Sequence, residues 1–333
     1  IYRTDGVTKA GFNLIGNPYP SYINVDNLVN ANVEASYWVR TRNAANTAWT
    51  YDTYNIPGAL STGGSGKAIS KMISPMQAFW LRVKSSSTPA TLTFTNALRD
   101  HKDDANNNFR APANNNQSIL RLLVSDGANN DETLVYFNSN ASNDIDAYDS
   151  HKMLNSETSL SPDIYTIVGV EQLAINGMNT IPAEIPLYIK PNASTSGQFS
   201  LSATEVSNFE SGTLVYIKNN KTGDQQLISD GSVYKFDVTG EPSLSIIIKA
   251  PGAVTGTENN PTNGLNVYAN AKGQITVTIP SLKGGEEARV YNSSGQCILN
   301  QSLTNSRTML NKFFTAGVYV VKVNETIRKV VVE

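Results

Sequence analysis

Apolar residues in this chain recur at every second position, in short runs of Val, Ile, Tyr and Phe, and almost nowhere at the three- and four-residue spacing of a helix. Gln274-Ile275-Thr276-Val277-Thr278-Ile279 and Val318-Tyr319-Val320-Val321-Lys322-Val323 show the pattern, and Gly, Asn, Asp and Ser punctuate it. Side chains that alternate in this way bury one face of a pleated strand. The sequence therefore predicts an all-β protein, with a helical turn expected only from Asp149 to Glu157.

The chain's 333 residues are enough for two or three domains, each with its own core. The pattern predicts tandem β-sandwich modules, jelly-roll or immunoglobulin-like. The first spans 1–110 and holds Trp38, Trp49 and Trp80. An Asn-rich polar stretch from Asp100 to Gln117, broken by Pro112, places a boundary near Ala111. The second module spans 111–253, where Asp230-Gly231 between Leu227-Ile228 and Val233-Tyr234 predicts a type I′ hairpin. A linker of Pro, Gly, Thr and Asn over 254–264 leads to a short, strongly alternating block, 265–333, which predicts an immunoglobulin-like sandwich.

Charged residues make up 16% of the chain, and 26 Lys+Arg against 28 Asp+Glu give a net charge of -2. That balance supplies no positive field for a phosphate backbone, so no nucleic-acid partner is expected. A single cysteine, Cys297, excludes an internal disulfide, and two histidines, His101 and His151, leave no ligand set for structural zinc. No run approaches the roughly 18 apolar residues of a membrane span. The start Ile1-Tyr2-Arg3-Thr4 lacks Met and a basic leader, as expected of a fragment or a processed form.

Few residues suggest chemistry. Gly63-Gly64-Ser65-Gly66-Lys67 has Ser61 and Ala68 where a phosphate loop needs Gly and Ser or Thr, so it reads as a turn. Asp144, Asp146 and Asp149 are close enough in sequence to offer oxygens to calcium, the one cofactor considered. Short Asp side chains also cap backbone N–H groups in turns, the competing reading. His101 and His151 have neighbouring carboxylates but no nucleophile signature, and read as solvated. The adjacent acids Asp131-Glu132 and Glu286-Glu287 read as exposed turn residues. Trp49, Tyr51 and Tyr54, with Asn43, Asn46 and Asn55 nearby, form the candidate ligand site, because aromatic faces stack on flat ligands and amides satisfy sugar hydroxyls.

The last block resembles the C-terminal sorting domain of proteins exported by the type IX secretion system of Bacteroidetes. Val290-Tyr291-Asn292-Ser293-Ser294-Gly295-Gln296 is similar to that family's hairpin, Ala316-Gly317-Val318-Tyr319-Val320-Val321-Lys322-Val323 to its Gly-Val-Tyr strand, and Arg328-Lys329-Val330-Val331-Val332 to its terminal strand. Tyr268-Ala269-Asn270-Ala271 stands where the family has Tyr-Pro-Asn-Pro. Upstream, Gly11-Phe12-Asn13-Leu14-Ile15-Gly16-Asn17-Pro18-Tyr19-Pro20-Ser21 and Asp146-Ala147-Tyr148-Asp149-Ser150-His151-Lys152-Met153 resemble segments that precede such tails in large surface proteins. The resemblance implies the non-catalytic C-terminal portion of a bacterial cell-surface or secreted protein, outer-membrane associated and acting in adhesion or anchoring. Its partners would be the secretion machinery or cell envelope, and a glycan or host surface ligand. A carbohydrate-binding module of a surface protein or glycosidase is the alternative, and a hydrolase the third.

Overall fold

The computed structural model describes residues 1–7, 9–28, 30–67, 69–86, 88–100, 117–193, 198–237, 243–249, 266–269, 273–279, 284–292, 294–324 and 326–332. Within them lie 26 strands and two three-residue 3-10 segments, so the protein is all-β and sandwich-like, as the alternation requires. The stretch expected to form a helical turn contains the short strand Ser150–His151 instead. Two compact units form, Ile1–Pro251 and Gly252–Glu333.

The first unit contains two sheet systems. In the N-terminal one, five strands run in the order Phe12–Gly16, Ala78–Arg82, Ser36–Arg42, Trp49–Asn55, Leu60–Gly63. A three-stranded sheet accompanies them, and Ile23, Tyr37, Tyr54, Phe79 and Leu81 fill the core. The second system is an 11-stranded sheet whose two edge strands are Gln225–Ile228 and Val233–Asp237. These edges are joined by the four residues 229–232, a chain too short to span a flat sheet of this width, so the sheet curls over its own core. The expected hairpin at Asp230-Gly231 is thereby corrected. Gly231 does have φ +79°, but its flanking strands pair elsewhere, Gln225–Ile228 with Leu214–Asn219 and Val233–Asp237 with Gln198–Ser207.

The boundary expected near Ala111, itself outside the described residues, separates two sheet systems but not two compact units. Polar contacts join them. Asn55 Nδ2 donates to the carbonyls of Ala147 at 3.1 Å and Asp149 at 3.2 Å, and Trp38 Nε1 donates to the His151 carbonyl at 2.9 Å. Arg121 bridges Glu132 at 2.7 Å, Glu205 at 3.1 Å and the Ser61 carbonyl at 2.6 Å. Asp131 and Glu132 are accordingly not exposed turn residues. Both lie in the strand Asn130–Phe137, with Asp131 fully buried against Lys152.

The C-terminal unit packs a three-stranded sheet (Asn266–Ala269, Gln274–Thr278, Arg307–Phe313) with a four-stranded one (Cys297–Ser302, Glu287–Tyr291, Gly317–Val323, Thr326–Val332) around a shared apolar core. Glu286, expected to be exposed, is buried at the entry to this second sheet.

Candidate functional site

The strands Ser36–Arg42 and Trp49–Asn55 pair in antiparallel register, which sets Arg40 opposite Tyr51 and Arg42 opposite Trp49. Asn43 builds the connecting turn: its Oδ1 accepts the Thr47 N–H at 2.8 Å, and its Nδ2 donates to Asn129 at 3.0 Å. Spacing two places Arg40, Arg42, Trp49 and Tyr51 on one face. Farther along that face Trp38 is fully buried with Tyr51 and Met153. The face thus emerges from beneath the 151–155 segment into solvent, and Trp49 at its outer end is 46% exposed.

A cleft of about 360 Å³ opens there, lined by Lys9, Arg40, Trp49 and Tyr51 on one side and by Asn155, Ser156, Ser159 and Leu160 on the other. Arg42 lies over the Trp49 ring at 4.6 Å from its centroid, and Arg40 at 5.3 Å. Lys9 lies over the Tyr51 ring at 4.7 Å, with its Nζ 3.3 Å from the phenol oxygen. Such contacts hold cations in place without neutralising them. Among the described residues, Lys9, Arg40 and Arg42 form no ion pair with a carboxylate. The opposite wall is fixed by Asp163, whose carboxylate accepts Asn155 N–H at 3.1 Å and Asn155 Nδ2 at 3.0 Å.

Of the residues expected to bind a ligand, the structure brings Trp49 and Tyr51 together and excludes Tyr54. That ring sits one position out of phase, so it enters the N-terminal core, 5.5 Å from the Tyr37 ring. Asn43 and Asn55 are consumed by structural hydrogen bonds, and Asn46 occupies a turn at φ +57°. Sequence reading missed Arg40, Arg42 and Lys9. The two arginines were within reach, since positions equally distant from the 43–48 turn face each other across a hairpin. Lys9 had no such signal.

The aspartates considered for calcium face backbone. Asp146 accepts the N–H groups of Ser142 at 2.7 Å and Tyr148 at 2.7 Å, and Asp149 accepts those of Asp146 at 2.9 Å and Gly177 at 3.0 Å, while Asp144 is exposed. No group of three His, Cys, Asp or Glu side chains placed to hold a metal occurs among the described residues. Burial pushes the Asp149 carboxyl up to about 7. His151 is buried, not solvated, with Nδ1 3.0 Å from Glu34 and Nε2 2.9 Å from Glu171. Glu34 also pairs with Arg82; burial raises its pKa, but His151 and Arg82 outweigh that and hold it below the usual carboxylate range. His101 lies outside the described residues. The glycine run packs tightly: a Cβ on Gly64 would sit 2.4 Å from the Asn130 carbonyl oxygen, and Ser65 Oγ donates to Asp52 at 2.6 Å.

In the C-terminal unit, Gly295 at φ +79° closes the turn between Glu287–Tyr291 and Cys297–Ser302. Tyr319 and Val330 pair across strands and point into the core, whereas Val318 and Val331, also paired, are 40% and 58% exposed, and Lys329 is exposed. Gly317 begins the strand that carries Val318 and Tyr319.

Fold and site define an all-β protein with an open cleft of aromatic and cationic side chains. Over residues 3–242 the chain matches the family described as "Domain of unknown function (DUF8693)", and it belongs to that family. No curated protein matches it. Among solved structures, the adhesin domain of Epf from Streptococcus pyogenes is similar at 12% identity and a TM-score of 0.17, covering 53% of this chain and 93% of that domain.

Proposed function

We propose that this chain is a non-catalytic adhesion module of a bacterial surface or secreted protein, and that it contacts its ligand at the Trp49 cleft. The observation that carries the reading is Trp49 itself. Trp38 is buried and Trp80 half-buried in the fold, while Trp49 stands at the mouth of a cleft with 46% of its surface open. Large exposed aromatics beside a concavity are binding features more than packing features. The cleft's described lining has no carboxylate, histidine or cysteine, which favours binding over hydrolysis, since glycoside cleavage needs two facing carboxyl groups.

Trp49→Ala tests the reading on a glycan array. It should abolish binding while costing less than about 1 kcal/mol of stability, because the lost contacts are exposed cation–π pairs. Tyr54→Ala, in the core, should cost about 3–5 kcal/mol. Unchanged array binding by Trp49→Ala removes the cleft from the account. The tail's part in this reading is sorting or anchoring at the cell surface, supported by its hairpin and Gly-Val-Tyr strand. A reporter fused to residues 255–333 that stays in the periplasm removes that part.

A further inference from the structure

The aromatic rings of the cleft are not a bare stacking platform. Arg40 and Arg42 lie over Trp49, and Lys9 lies over Tyr51, so a neutral sugar that stacked on those covered faces would have to displace a cation. From this arrangement, and resting on the reading of the cleft as the contact site, we infer that the cleft takes an acidic saccharide, one bearing a carboxylate or sulfate group.

Three observations converge on that class. First, Lys9 and Arg40 line the cleft and Arg42 lies over the Trp49 ring at its edge, in a chain whose net charge is -2, so this local excess does not come from a basic background. Second, among the described residues none of the three has a carboxylate partner, while the chain's buried cations are paired, Arg82 with Glu34, Arg121 with Glu132 and Lys152 with Asp131. An anion therefore meets free guanidinium donors in the fork geometry that suits carboxylate and sulfate. Third, the facing wall offers the hydroxyls of Ser156 and Ser159 and the 50%-exposed side chain of Leu160. A polyhydroxylated ring with an apolar face fits that combination better than an acidic peptide does. The cleft, about 360 Å³, lies at the small end of the roughly 300–1,000 Å³ range of small-ligand pockets and suits one or two sugar rings.

The experiment applies the full chain to an array of sialylated, uronic-acid and sulfated oligosaccharides, each printed beside its neutral counterpart, with hexaglutamate peptide as a charge control. At least one acidic member should bind about tenfold or more tighter than its neutral partner, and the difference should shrink as salt rises. Arg40→Ala combined with Arg42→Ala should erase the preference without moving the melting temperature. Neutral members bound as tightly as acidic ones would overturn the acidic class while leaving the cleft as a binding site. Hexaglutamate bound as tightly as the best saccharide would overturn the saccharide class. A folded chain that binds no member, acidic or neutral, would overturn the inference and the contact site together.

Discussion

Asp52 lies 1% exposed beneath Gly63 and accepts hydrogen bonds from Thr41 Oγ1 at 2.9 Å and from Ser65 Oγ at 2.6 Å. Burial pushes its carboxyl up to about 6 from the ordinary 3.8. A carboxyl whose folded pKa is raised binds its proton more tightly in the native state. Its stabilising contribution is complete below the unfolded pKa and is lost as pH rises through about 6. Asp149, raised to about 7, acts in the same direction. Urea unfolding of the full chain should therefore show stability falling between about pH 4 and 7 from these groups. Asp52→Asn, which keeps an acceptor for the Ser65 N–H and offers a donor to a hydroxyl, should remove up to about 1.4 kcal/mol per pH unit of that slope. A profile parallel to the parent's contradicts the assignment. Other buried acids were no more legible: in a chain with few charges, the adjacent Asp131 and Glu132 read as solvated turn residues until tertiary contacts supply Lys152 and Arg121.

At the scale of elements, alternation located most strands, and it failed where packing outweighs pattern. Glu171–Met178 is a central strand, parallel to Asn130–Phe137, yet Asn176 and Gly177 interrupt its apolar periodicity. The reason is spatial: a Cβ on Gly177 would sit 2.8 Å from Tyr148. In the tail, the near-continuous apolar run Gly317-Val318-Tyr319-Val320-Val321 reads as an inner strand buried between sheets. The strand is internal to its sheet, but only Tyr319, Val321 and Val323 face the core. At Gly317 a side chain is expected to disturb the entry into that strand, through either positive φ or close backbone approach. The φ of Gly317, +159°, is one that L side chains rarely adopt, and a Cβ there would meet nothing closer than 3.8 Å, so backbone conformation, not close approach, is its reason. Gly273 is constrained on both counts, at φ +77° with the Phe314 carbonyl oxygen 2.3 Å from where a Cβ would be. Gly273→Ala, which meets both an unfavourable φ and the carbonyl clash, should destabilise the tail by more than about 1 kcal/mol and by more than Gly317→Ala, which meets only the unfavourable φ, read from hydrogen exchange of the tail amides. The reverse order would contradict the packing described.

Over the whole molecule, linker composition marked where sheets change but not whether they part. Residues 1–251 form one unit because Asn55, Trp38 and Arg121 find their partners across the expected boundary, a fact invisible to local composition. The cleft depends on that union, since Trp49 and Tyr51 come from one sheet system and Ser156 to Leu160 from the other. Half of the candidate site was readable from aromatic spacing alone. Its cationic half required the hairpin register, and its far wall required the tertiary fold. The central claim, that ligand is held at this cleft, is tested most directly by acrylamide quenching of tryptophan fluorescence in the full chain, with and without a saturating acidic oligosaccharide. Trp49 is the exposed indole of the three, so the account predicts that ligand shields the parent chain from quenching and has no such effect on Trp49→Phe. Ligand that binds by calorimetry while quenching stays unchanged, or shielding that survives in Trp49→Phe, would contradict it.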